Sequence, residues 1–147
     1  VAFVYHPSDQ TMESLKHLTI ENYQNKKPHL LLGDIEEGID ELGVYMMTRN
    51  HGSFWLGSRL DIHSARAINP LSSATSLQVA GGVVSGMAWL AEHTNEGIIE
   101  PEDIIEYDNI LNRAEKYWGG FLFSESDWLP DKVSESLEFK TFLSDAN

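Results

Sequence analysis

The chain has 147 residues, 41% of them apolar, which is enough for one domain with a hydrophobic core. It contains no cysteine, which excludes disulfides, thiolate metal sites and a cysteine nucleophile, and accords with a reducing compartment. A formal net charge of -13 argues against nucleic acid and suits a cationic partner, although acidity also serves solubility alone.

Residues 1–5, Val-Ala-Phe-Val-Tyr, are apolar and β-prone. They begin without an initiator Met, a basic region or a cleavage site, so the chain is expected to be a fragment entered in mid-strand. That strand is expected to be buried, with Tyr5 in the core, and to end at His6-Pro7. Ser8 or Asp9 caps the helix that follows, in which Met12, Leu15, Leu18 and Thr19 recur near helical spacing. Residues 22–28 read as a polar loop and 29–32 as a short apolar run closed by Gly33-Asp34. The acids Asp34, Glu36, Glu37, Asp40 and Glu41 lack calcium-loop spacing and read as a solvated face.

Two β-prone runs, 42–48 and 53–60, flank the turn cluster Arg49-Asn50-His51-Gly52 and predict a hairpin. Alternation puts Phe54, Leu56 and Ser58 on one face, with Trp55 and Gly57 on the other. Asp61 caps a short helix through Ala67, which stops before Pro70.

Ser72 or Ser73 opens a central helix that runs to about Glu92. Leu77, Ala80, Val84, Met87 and Ala91 follow one stripe, widened by Val79, Val83 and Leu90. Gly81, Gly82, Ser85, Gly86 and Ala88 form a second face of small residues. An interior glycine costs a helix about 1 kcal/mol relative to alanine. Another helix or a flat ligand in close approach would explain three of them, and helix packing is the plainer reading. Either way the helix is expected to be buried. The apolar run within it, residues 77–91, contains Gln78 and Ser85 and falls short of the ~20 residues a membrane span needs.

Pro101, backed by Glu102 and Asp103, opens an amphipathic helix expected to reach Tyr117 or Trp118 and to stop at Gly119-Gly120. Beyond Trp128 the chain is acidic and serine-rich, with a weak final helix over 133–143.

Chemistry-bearing motifs are few. The run from Gly81 to Gly86 lies inside a helix and not at a strand–helix turn, so it is no dinucleotide fingerprint. There is no Walker loop and no H-E-x-x-H, and the six histidines are scattered, so no metal site is expected. His6, at the end of the first strand, could exchange protons near neutral pH, although a strand-end histidine satisfied by backbone is the plainer reading. Tyr5, His51 and Trp55 read as packing and turn residues. Ser58, Thr75 and Ser76 could donate to a ligand, but hydroxyls near a helix start are usually caps.

Six blocks then occur in order: Phe-Val-Tyr-His-Pro (3–7), Gly-Ile-Asp-Glu-Leu-Gly-Val (38–44), Phe-Trp-Leu-Gly-Ser (54–58), Ala-Thr-Ser-Leu-Gln-Val (74–79), Gly-Ile-Ile-Glu-Pro-Glu-Asp (97–103) and Ser-Asp-Trp-Leu-Pro (126–130). Together they resemble the C-terminal part of the bacterial homospermidine synthases, members of the saccharopine dehydrogenase-like group. The resemblance covers roughly residues 1–130, and the tail 131–147 departs from it. It implies a cytoplasmic, homodimeric enzyme that joins two putrescines into homospermidine and releases ammonia, with tightly held NAD as a hydride store. It implies an α+β or α/β fold, with residues 1–70 in a mixed sheet of the substrate and dimerisation domain. Residues 71–130 would be a helical segment returning to a nucleotide-binding domain outside this chain. By the same resemblance His6 matches an active-site histidine, and Thr75 and Ser76 face the nicotinamide end of NAD. The chain alone is expected to be inactive. The rivals are another oxidoreductase of the group, of the carboxyspermidine dehydrogenase type, and a non-catalytic assembly module.

Overall fold

The computed structural model describes residues 3–20, 31, 33–48 and 50–128. It divides into two compact units, one of Val1–Leu30 with Trp128–Asn147 and one of Leu31–Asp127.

In the first unit the described residues are one helix, α1 (Asp9–Ile20), the segment before it and Trp128. Ser8 caps α1: its hydroxyl oxygen accepts from the Thr11 N–H at 3.2 Å and its carbonyl from the Met12 N–H at 3.0 Å. The expected N-terminal strand does not form over 3–7. Phe3, Val4 and Tyr5 are 94%, 78% and 74% exposed, so Tyr5 is not a core residue. β-propensity measures fit to a pleated, half-buried surface, which these exposed side chains do not meet. The loop expected over 22–28, the run at 29–32 apart from an exposed Leu31, and the helix expected over 133–143 lie outside the described residues.

The second unit is α+β, as expected, but its described sheet is wholly antiparallel and not mixed. β1 (Ile39–Met47), β2 (Ser53–Asp61) and β3 (Phe121–Ser126) pair in the order β1-β2-β3. The hairpin forms where predicted, and its register pairs Gly43 with Gly57. A Cβ on Gly43 would lie 2.6 Å from Trp55 Cζ2, so the indole covers the two glycines and a larger residue has no room there. β3 went unread in the sequence, although Phe121-Leu122-Phe123 after two glycines is a β-prone run.

α2 (Ile62–Ile68) follows β2 directly, and the Asp61 carboxylate accepts from the N–H groups of His63 and Ser64 at its start. α3 (Ala74–Glu92) is capped by Ser73, whose hydroxyl accepts from the Ser76 N–H. The helix expected from Pro101 is broken in two. Pro101–Asp103 makes one 3-10 turn, Ile104 is extended, and α4 (Tyr107–Trp118) starts afresh. A continuous helix would have stacked Glu102 and Glu106 one turn apart, a destabilising like-charge pair. α4 ends at Gly119, whose φ of 75° is left-handed. A side chain at Gly119 would also collide with the Arg59 carbonyl of β2.

Leu60, Ala65, Ala74 and Leu77 form the core, with Tyr117 packed against it. α3 packs its small face on another helix, as expected, but only that face is buried. Its buried face is Ala74, Leu77, Gln78, Gly81, Ser85 and Trp89, largely the small and polar residues. Of the apolar stripe Leu77 is buried in the core, whereas Val79, Val83, Val84, Met87 and Leu90 are all more than half exposed, so the helix is not buried all round. The cause is Gly81, where an added Cβ would stand 2.5 Å from Tyr117 Cβ. The small face lets α3 and α4 approach to backbone distance, and the larger apolar residues are left on the other side. Among the described residues, no helix is long and apolar enough to cross a membrane.

Candidate functional site

The three residues singled out in the sequence fall into different units. His6 lies in the first, exposed and outside regular structure, two residues before the cap of α1. Thr75 and Ser76 lie in the second, on the first turn of α3. Both are exposed. Ser76 is partly engaged, because its N–H and its hydroxyl oxygen both bond the Ser73 hydroxyl, at 3.1 and 3.0 Å. Ser73 is the cap, so the capping reading of this cluster belongs to Ser73 and the side chain of Thr75 points to solvent.

The exposed side of α3 continues from these two residues. Val79 and Val83 stand on the same side at helical spacing, followed by Gly86 and Leu90. A Cβ at Gly86 would meet nothing within 4 Å. A groove of roughly 380 Å³ adjoins this side of α3, lined by Leu42, Val44 and Leu56 of the sheet with Val79, Trp118 and Phe121. The geometry suits an extended, largely apolar partner with a polar group at the helix start. The first turn of a 19-residue helix adds the partial positive charge of its N–H groups.

Ser58 is not free to meet a ligand. It is buried, and its hydroxyl donates to Gln78 Oε1 at 3.0 Å. Gln78 in turn donates from Nε2 to the Asp40 carbonyl at 3.0 Å, and its own backbone carbonyl accepts from the Trp118 indole N–H at 2.8 Å. The sequence carried a sign of this network, a glutamine inside an otherwise apolar run, which spacing alone did not interpret.

A second polar cluster closes the other end of α3. The His93 ring stacks on Trp89 at 4.0 Å between centroids, and its Nδ1–H donates to the Trp89 carbonyl at 2.8 Å. Nε2 lies 3.1 Å from Glu106 at the start of α4. The Trp89 carbonyl raises the pKa of His93 above its ordinary value. Partial burial opposes the shift, and the carboxylates of Glu106 and Glu96 add to it. Beside it Arg113 of α4 donates from Nη2 to both carboxylate oxygens of Glu92, at 2.7 and 2.8 Å, and from Nε to Asn109 Oδ1 at 3.1 Å. Of the early acids, Asp34, Glu36, Glu37 and Glu41 are exposed and Asp40 is half-buried, so the solvated face is present apart from Asp40. Among the described residues, no three His, Asp or Glu side chains converge in a way that could hold a metal ion.

No family model matches the chain. Two curated relatives do. The chain is 32% identical over 130 residues to a homospermidine synthase of Mesorhizobium japonicum and 34% identical over 130 residues to one of Blastochloris viridis. Each match covers 87% of this chain and 27% of the relative, so the chain spans little more than a quarter of their length. The crystal structure of the homospermidine synthase from Legionella pneumophila in complex with NAD superposes with a TM-score of 0.77 at 38% identity. That match covers 91% of this chain and 29% of the other. Over most of its length, the chain is a homologue of a partial segment of homospermidine synthase.

Proposed function

We propose that this chain is the C-terminal portion of a cytoplasmic, homodimeric homospermidine synthase that condenses two putrescines and releases ammonia, with NAD as a bound hydride carrier. The observation that carries the reading is the likeness, over 91% of the chain, to an enzyme solved with NAD. Bound NAD supplies a hydride acceptor and donor within one turnover.

The residues of this chain have distinct parts in that reading. Primary amines hold their proton until about pH 10, so a base near neutrality must remove it before the nitrogen reacts. His6 is that group, exposed and able to reach a ligand brought by the rest of the enzyme. Thr75 and the first-turn N–H groups of α3 meet the polar nicotinamide end of NAD, and Ser76 supports them. The apolar side of α3 beyond them packs on the nucleotide-binding part, which fits the exposure of Val79, Val83 and Leu90. The excess of 13 negative charges favours the approach of a diamine dication.

The test is turnover of putrescine alone by the complete enzyme carrying this segment. Homospermidine and ammonia formed with no build-up of NADH support the reading. NADH released into solution, with product only when an amino acid is supplied, would replace it with a dehydrogenase of the same group.

A further inference from the structure

We infer that Gln78 is a positioning residue that sets where the first turn of α3 stands against the sheet. The inference rests on the reading of Thr75 and Ser76 as the cofactor end of α3. Gln78 is 2% exposed and lies within one helical turn of both. An apolar side chain of the same length would fill its place without the cost of burying an amide. The amide brings direction. Its Oε1 accepts from Ser58 on the central strand and its Nε2 donates to the Asp40 carbonyl on the edge strand, each at 3.0 Å. The orientation of the amide is forced, because a carbonyl accepts and cannot donate. On the backbone side the Gln78 carbonyl takes the Trp118 indole N–H at 2.8 Å, from the last residue of α4.

One residue of α3 is therefore fixed to β1, β2 and α4. Apolar contacts between a helix and a sheet tolerate a slide or a roll, whereas these hydrogen bonds lengthen at once. The outward side of α3 makes such a fix necessary. Val79, the next residue, lines the groove and is 58% exposed, so among the described residues that side of α3 gives the first turn little support. Gln78 supplies the hold from the buried side.

The experiment compares three variants of the NAD-binding holoenzyme well below their melting temperatures, by direct titration of NAD and by melting. Gln78→Met keeps the length and loses both side-chain bonds. Its NAD Kd is expected to rise about tenfold, the loss of roughly one good hydrogen bond's worth of binding, with the putrescine KM unchanged. Ser58→Ala removes one bond, and a smaller rise in the same direction is expected; it decides the matter if Gln78→Met does not fold. A lowered Tm with unchanged NAD Kd in both would overturn the inference and leave Gln78 a stabilising residue only. Thr75→Val with Ser76→Ala separates the premise from the inference. An unchanged Kd there overturns the cofactor reading and this inference with it, while a raised Kd there beside unchanged Gln78 and Ser58 variants overturns the inference alone.

Discussion

Alanine at Gly81 and alanine at Gly86 are the same substitution, in the same helix, less than two turns apart, yet the structure gives them opposite signs. Both gain about 1 kcal/mol from the better helix propensity of alanine. At Gly86 the new methyl meets nothing within 4 Å, so the gain stands and the chain is stabilised. At Gly81 it would stand 2.5 Å from Tyr117 Cβ and 3.0 Å from Cγ and Cδ2 of the same ring. Apolar carbons rest about 3.5–4.0 Å apart, so α3 and α4 must separate by about 1 Å. Overpacking of this kind costs about 1–3 kcal/mol, which offsets the propensity gain and leaves a net loss of up to about 2 kcal/mol. The two variants should therefore differ by about 1–3 kcal/mol, the overpacking cost, in urea unfolding followed by tryptophan fluorescence, with equal slopes. Equal shifts, or a more stable Gly81→Ala than Gly86→Ala, would refute the account of how these helices approach.

Gly119→Ala should lose about 2–3 kcal/mol in the same assay, because a left-handed alanine is strained and its Cβ would strike the Arg59 carbonyl. A loss below about 0.5 kcal/mol would mean that the α4–β3 junction adjusts freely. His93, with its pKa raised by the Trp89 carbonyl and by Glu106, stabilises the fold fully below its ordinary pKa of about 6.5 and progressively less as the pH rises through the folded value. His93→Gln should flatten that fall in a series of melting curves from slightly acidic to alkaline pH, and an unchanged slope would remove His93 as its source. His6→Ala in the complete enzyme should lower kcat by about 100-fold or more, the usual scale of proton-transfer catalysis; unchanged turnover would end its catalytic assignment.

Much of the second unit could be read in advance, because its signals are local. The hairpin turn, the Asp61 cap and the helix stop at Gly119 each depend on a few neighbouring residues with fixed backbone chemistry. What escaped was decided by partners distant in sequence. The apolar residues 1–5 promised a buried strand, but Phe3, Val4 and Tyr5 are exposed and outside regular structure. The small face of α3 was legible as a helix-packing surface, but its partner, Tyr117 of α4, lies 36 positions from Gly81 and could not be named from spacing. The Gln78 network likewise depended on three separate elements. Of the candidate site, Thr75 and Ser76 were found by position at a helix start. Their division of labour with Ser73 needed coordinates.

The central claim is that the outward apolar side of α3 is an interface completed by the rest of a homospermidine synthase. The chain has no cysteine, so Val83→Cys places a single thiol on that side, at a position 57% exposed. Its alkylation rate, read by mass spectrometry of the peptide that carries it, tests the claim directly. The thiol should react as an open one in the 147-residue chain and far more slowly in the complete enzyme. Equal rates in the two would show that nothing covers this side, and would contradict the account.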